Sequence, residues 1–389
     1  MDNRAAGRDD QSVPALEGIL VADFSRVLAG PLVSMNLGDF GADVIKVEPP
    51  GGDETRAWSP PVDAEGRATF FLAVNRNKRS VELNLKEPDD LELARELVRR
   101  ADVLVENFRP GTMDRLGLGY EEVSGENPGL VYCSISGFGS KGGVGLPGYD
   151  PLVQAMSGMM SITGPPDGDP SKVGVALVDV IAGLNATIGI LIALQERTRS
   201  GRGQKVESDL LSSALAALEN QASAWLNTGV LPKRLGNVHP SIEPFTTFDA
   251  ADGPLMICVG NDRQFRSLCE VLGEPELAGD RRYIDNFDRV ENRVELEAEL
   301  NRLLARDTVE SWVSALHEVG VPAGPVNTID RGFAIAEALG LDPIDEIDGV
   351  RTAASPIHLD RTPAETRLQP PAENGNSADI RAWLSAHPD

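Results

Sequence analysis

The chain has 389 residues, 41% hydrophobic and 25% charged, with a formal net charge of -24. That length and balance suit a globular protein of more than one domain, and the acidity disfavours nucleic acid and anionic membrane as partners. The three cysteines (Cys133, Cys258, Cys269) and four histidines form no CxxC and no HExxH, so no metal site is expected and a reducing cytoplasm suits the chain.

Residues 1–17 are polar, lack an apolar h-region, and read as a loose arm and not a signal peptide. Residues 18–23 (GILVAD) read as a buried strand, 29–37 as a helix with Pro31 in its first turn, and 43–48 (DVIKVE) as a second strand. This βαβ opening predicts a parallel sheet covered by helices. Strands follow at 80–85, 102–106 and 130–136, with a helix at 89–100. The apolar stretch 175–194 is interrupted by Asp179 and Asn185, which suits a buried helix over about 181–197 better than a membrane span. Its end is marked by the Ser200–Gly203 turn (SGRG). A short strand at Val206 and a long helix over 209–228 come next. Beyond residue 229 the texture changes to strands at 245–248 and 255–259 and helices at 262–272, 289–304 and 308–319. The Pro- and Gly-punctuated remainder ends in a helix near 378–386.

The predicted fold class is therefore α/β. A Rossmann-like large domain with a parallel sheet spans 18–206 and 345–389. A linker helix at 207–228 leads to a smaller α+β domain at 229–330, and 331–344 is a return linker.

The first βα turn, Phe24 to Pro31, offers backbone N–H groups to an anionic ligand. It lacks the GxGxxG glycines of dinucleotide enzymes, although Glu48 ends the second strand where a ribose-binding carboxylate would sit. Two basic runs, Asn77-Lys78-Arg79-Ser80 and the loop from Asn107 to Arg115, flank predicted strands. On chemistry alone Lys78 and Arg79 could meet phosphates. A Gly-rich segment, 137–148, precedes Tyr149-Asp150-Pro151. Asp150 there is either an N-cap before a proline at N1 or an activated carboxylate facing a cleft.

These stretches together resemble the class III CoA-transferases, the CaiB/BaiF-like group of formyl-CoA and carnitine CoA-transferases. The matching segments are VADFSRVLAGP (21–31), GADVIKVEPPGGDETR (41–56), NRNKRSVELNLK (75–86), VENFRPGTMDRLGLGY (105–120), YCSISGFG (132–139), GYDPLVQAMSG (148–158), LGNVHPSIEPF (235–245) and GVPAGPVN (320–327). The resemblance implies a Rossmann-like large domain, a small domain, and a homodimer of two interlocked rings. It implies CoA transfer between carboxylic acids, with CoA or acyl-CoA as substrate, no tightly bound cofactor and no metal. Asp150 is expected to be the nucleophile, with Gln154 as its polar neighbour. Val27, Leu28, Ala29, Asn107 and Arg115 are expected to contact CoA, and Leu83 to flank the adenine.

Three departures from that pattern stand out. Residues His239 to Pro244 replace a glycine run that forms a lid in formyl-CoA transferase. Pro49 stands where an arginine serves CoA. Tyr149 stands where the related α-methylacyl-CoA racemases need a histidine, although Asp179 aligns with their second acid; an unperturbed tyrosine is a poor base near neutral pH. The alternatives weighed are such a racemase and a non-catalytic acyl-CoA-binding protein.

Overall fold

The structure, a computed structural model, describes residues 13–386. Most of the expected N-terminal arm therefore lies outside the described residues. Within its remainder, the backbone N–H of Leu16 donates to the carbonyl of Phe40 at 2.8 Å. The chain divides into two compact units, one comprising residues up to Met159, Val173–Val230 and from Leu341, the other Met160–Lys172 and Leu231–Gly340. Residues 160–172 thus group with the second unit, which sequence patterning did not anticipate.

The first unit is built on β1 (Leu20–Asp23), α1 (Ala29–Asp39), β2 (Asp43–Glu48), β3 (Lys78–Glu82), α2 (Pro88–Arg100), β4 (Val103–Glu106), β5 (Val131–Ser136), α3 (Asp150–Met156), α4 (Leu177–Ser200) and β6 (Lys205–Asp209). The six strands form one parallel sheet in the order β3-β2-β1-β4-β5-β6. The strand order reverses between β1 and β4, and ligands of open α/β sheets bind outside the carboxyl ends of the strands at such a point.

Both faces of the sheet are apolar because both are covered. On one face Ile45, Val81, Leu104 and Tyr132 pack with Leu97 of α2. On the other, Val21, Val44, Val103 and Val131 pack with Val33 and Leu37 of α1 and with Ile190 and Leu194 of α4. Each large aliphatic side chain so buried contributes roughly 1.5–3 kcal/mol. By length and composition α4 could cross a membrane. Here Val178, Ala182, Ala186, Ile190 and Ala193 form its buried side, and the Asn185 amide donates to the Ser213 hydroxyl at 3.2 Å.

After β6 the expected single helix is two, α5 (Leu210–Ala217) and α6 (Glu219–Thr228), because Glu219 adopts φ +45° and interrupts the helical path. Asp209 caps α5 by accepting from the Ser212 N–H at 2.7 Å.

The second unit holds the antiparallel sheet β7 (Phe245–Ala250), β8 (Gly253–Cys258) and β9 (Ala323–Pro325), the last beyond the helices α7 (Asp262–Val271), α8 (Asn286–Glu291), α9 (Arg293–Leu304) and α10 (Val309–Glu318). Leu255, Ile257, Phe265, Leu268, Leu300 and Leu316 make its core. A further helix, α11 (Ile329–Ala338), occupies a stretch expected to be irregular.

From Leu341 the chain belongs to the first unit again and ends in α12 (Ser377–Ser385). This tail covers the edge strand β3. Asn376 accepts from the Ser80 N–H at 3.2 Å, and the Ser377 hydroxyl accepts from the Glu82 N–H at 2.9 Å. An edge that would otherwise expose unpaired backbone groups is thereby satisfied.

Candidate active site

The first βα turn is held by two side chains that lie far away in sequence. Asn107, just past β4, accepts from the Arg26 N–H at 2.8 Å and donates to the Arg26 carbonyl at 2.7 Å. Beneath the turn, buried Asp23 accepts from the Ser25 N–H at 2.9 Å and pairs with Lys78 at 3.2 Å. Burial alone would raise the Asp23 pKa, but Lys78 and Lys46 outweigh it and hold the carboxylate charged. Gly30 lets α1 approach this turn, since a β-carbon there would lie 2.2 Å from that of Ser25. So constrained, Val27 takes φ +68°, a left-handed conformation costly for a β-branched residue.

Facing that turn is a cavity of about 170 Å³, lined by Arg26, Val27, Leu28, Ala29, Asn107, Phe108, Gly137, Gly148, Tyr149 and Asp179, among others. Gly137 and Gly148 touch backbone to backbone; a β-carbon on Gly148 would lie 2.5 Å from the α-carbon of Gly137. That contact seats Tyr149 and Asp150 at the end of the loop.

Asp150 is not presented to this cavity. It is the first residue of α3, with Tyr149 at the N-cap position, so it does not cap its own helix. Its side chain reaches to the start of α4 instead. Oδ1 accepts from the N–H of Val178 at 2.7 Å and of Asp179 at 3.4 Å, while Oδ2 accepts from the Gln154 amide at 2.6 Å. Asp150 is 3% exposed. With both oxygens engaged and the side chain buried, the nucleophilic role expected of Asp150 does not fit its surroundings. Gln154 is likewise fully enclosed: its Oε1 accepts from the Val173 N–H at 2.9 Å, bracing the segment that leads into α4.

Asp179, two residues into α4, is one of two carboxylates that line the cavity, Glu54 being the other, and it is the one beside Asp150. Burial, and then the negative charge of Asp150, push its pKa up to about 7. A carboxylate so poised is still ionised in part at neutral pH and is more basic, hence more nucleophilic, than one in water. The interruption of an apolar stretch by Asp179 was the sequence signal for it.

A second cavity, of about 270 Å³, is more apolar and is lined by Val47, Pro49, Pro50, Leu83, Leu85, Phe108 and Leu116, with Arg115 and Lys86. Arg26 and Phe108 line both cavities, and the Arg26 guanidinium lies 4.9 Å from the centre of the Phe108 ring. Leu83 and Arg115 thus share one recess, and Val27, Leu28, Ala29 and Asn107 share the other with Asp179.

Lys78 and Arg79 belong to neither. They begin β3, at the end of the sheet opposite its carboxyl edge. The Lys78 ammonium is buried and donates to Asp23, to the Pro31 carbonyl at 2.8 Å and to Asn75 at 2.9 Å, which uses all three donors. Arg79 pairs with Asp43 at 2.5 Å. The basic run reads as a ligand loop in the sequence because the charge that neutralises Lys78 comes from another strand, β1. A third cavity, of about 600 Å³, shares Arg109, Pro110 and Ser136 with the first. At its wall Glu106, which accepts from the Phe108 N–H at 2.8 Å, has its pKa raised by burial to about 7.

A parallel sheet with a cleft at its switch point, a left-handed turn over one recess and a poised carboxylate in it make the arrangement of an α/β enzyme's active site. Residues 16–377 match the family described as CoA-transferase family III, and the chain belongs to that family. It is 44% identical over 386 residues to the succinate–glutarate CoA-transferase of Agrobacterium fabrum, covering 95% of this chain and 96% of that one. It is 42% identical over 346 residues to the acetyl-CoA:oxalate CoA-transferase of Acetobacter aceti, 88% of each chain. With the succinyl-CoA:mesaconate CoA-transferase of Haloarcula marismortui it shares 42% over 325 residues, 81% of each. Among solved structures it resembles a CaiB/BaiF family protein from Brucella suis, with a TM-score of 0.87 at 42% identity over 96% of this chain and 100% of that one. Rv3272 from Mycobacterium tuberculosis also gives 0.87, at 31% identity over 95% and 99%. The chain is an enzyme of the transferase class that moves CoA between carboxylic acids.

Proposed function

We propose that the chain transfers CoA from succinyl-CoA or a similar donor to a dicarboxylic acid, with Asp179 as the nucleophile. The observation that carries the assignment is that Asp179 lines the cavity beneath Val27 and Ala29, while Asp150 is sealed behind it. The names of the three relatives above each include a dicarboxylate, which supports the acceptor class.

The Asp179 carboxylate attacks the thioester carbonyl; the C–S bond breaks, and CoA thiolate leaves a mixed anhydride. The thiolate then attacks the aspartyl carbon of that anhydride, releasing the donor acid and forming an aspartyl-CoA thioester. The acceptor carboxylate attacks this thioester and makes a second anhydride. Return of the thiolate to the acceptor carbonyl frees Asp179. Each step exchanges one acyl bond for another, and every electron pair goes to sulfur or a carboxylate oxygen. Asp150 and Gln154 take no part in bond making in this account. They fix the start of α4 and raise the basicity of Asp179.

Incubation with succinyl-CoA and labelled glutarate tests the reading: transfer of CoA to the label is expected. Succinyl-CoA left intact with all of the label still on free glutarate would overturn the donor, and exchange of the α-hydrogen with solvent deuterium would point to the racemase chemistry instead. The exposed apolar side chains Leu184, Ile188 and Ile192 on α4 and Trp225 and Leu226 on α6 support a homodimer, interlocked as the family resemblance implies; the sparse cysteines support a place in the reducing cytoplasm. Light scattering on the purified protein at twice the chain mass is the expected result.

A further inference from the structure

We propose that Arg26 grips the diphosphate of CoA. The inference rests on the CoA-transferase reading above. Reaction at Asp179 places the sulfur end of CoA in the first cavity. The second, walled by Pro49, Leu83, Leu85 and Leu116, suits the flat adenine. The diphosphate joins those two ends, and Arg26 is the cation that lines both recesses.

Three features suit Arg26 to the task. Asn107 clamps its peptide from both sides, which fixes the root of the side chain. Phe108 supports the guanidinium face, leaving its edge of N–H donors open to phosphate oxygens. Among the described residues no carboxylate lies within ion-pair distance of it, unlike Arg56, Arg67, Arg76 or Arg79. In a chain of net charge -24, a cation without an acidic partner at the junction of two cavities is a concentrated attraction for a polyanion. Lys86 and Arg115, at the adenine end, are left for the ribose 3′-phosphate.

Calorimetric binding of CoA and of 3′-dephospho-CoA to the full chain tests the assignment, with Arg26→Gln and Arg26→Lys as variants. Loss of charged hydrogen bonds predicts that Arg26→Gln weakens both ligands about tenfold to a hundredfold, and by the same factor for each. Arg26→Lys recovers part of that loss, which separates a missing charge from a disturbed turn. Equal affinity of Arg26→Gln and the unaltered protein for CoA would overturn the inference. A loss seen with CoA but not with 3′-dephospho-CoA would also overturn it, by moving Arg26 to the 3′-phosphate. Absence of CoA binding by the unaltered protein would overturn the CoA-transferase reading together with this one.

Discussion

The backbone N–H of Asp179 donates to the carboxylate of Asp150 at 3.4 Å, and that of Val178 does so at 2.7 Å. One acidic side chain is thereby spent on holding the start of a helix, and a second acid, 29 residues on, is held at the cavity wall. The division of labour between the two follows from which of them meets solvent-accessible space.

Asp179→Ala removes CoA transfer, with a fall of at least about a thousandfold in kcat expected for loss of a covalent nucleophile. CoA binding by calorimetry stays within a few-fold, because the turn at Val27 and the recess at Leu83 are untouched. Residual activity close to the unaltered rate would remove Asp179 from the mechanism.

The nucleophile must be ionised, and its pKa is raised to about 7 by burial and by Asp150. Rate measured as kcat/KM therefore rises with pH through about 7 and levels above it. Asp150→Asn keeps an oxygen for the Val178 N–H and removes the negative charge, so the rising limb moves to lower pH. A limb that stays in place in Asp150→Asn would mean that Asp150 does not sense the reacting group.

Stability should respond to the same group. The folded chain holds a proton on Asp179 between about 4 and about 7 that the unfolded chain has lost, so this contribution to stability falls as pH rises across that window. Asp179→Asn is then expected to raise the unfolding free energy at neutral pH by about 1–3 kcal/mol, measured by urea titration at pH 5 and pH 8. The gain should be larger at pH 8.

Lys78→Met separates structure from binding. It leaves buried Asp23 without its 3.2 Å partner, which costs about 3–5 kcal/mol of stability. Affinity for CoA in the folded fraction should fall only by about a few-fold, through the turn that the pair supports, since the ammonium spends all three donors internally. A selective loss of CoA affinity with unchanged stability would restore Lys78 to the site.

Gly148→Ala drives a β-carbon to 2.5 Å from the Gly137 backbone. Parting those two loop segments costs about 1–3 kcal/mol and displaces Tyr149 and Asp150, so kcat should drop more than CoA affinity.

Much of the sheet was legible. Residues 18–23, 43–48 and 130–136 carry short, largely apolar runs between turn signals, and all three lie inside the sheet. What the sequence hid were relations across strands. Lys78 looks like a free cation until β1 supplies Asp23 to it. Asp150, with proline behind it, looks like an N-cap of its own helix, yet its contacts are with the start of α4, 28 residues on. Arg26 sat in plain view in the first turn, but only the meeting of two cavities around it gives it a task. The break at Glu219 has no marker such as glycine or proline, which is why 209–228 read as one helix.

Mass spectrometry of the protein after incubation with succinyl-CoA, followed by tryptic digestion, tests the central claim most directly. Cleavage at Lys141, Lys172 and Arg197 puts Asp150 in peptide 142–172 and Asp179 in peptide 173–197. The account predicts a CoA adduct on 173–197 that is discharged by the acceptor acid. An adduct on 142–172 would contradict it and return the nucleophile to Asp150.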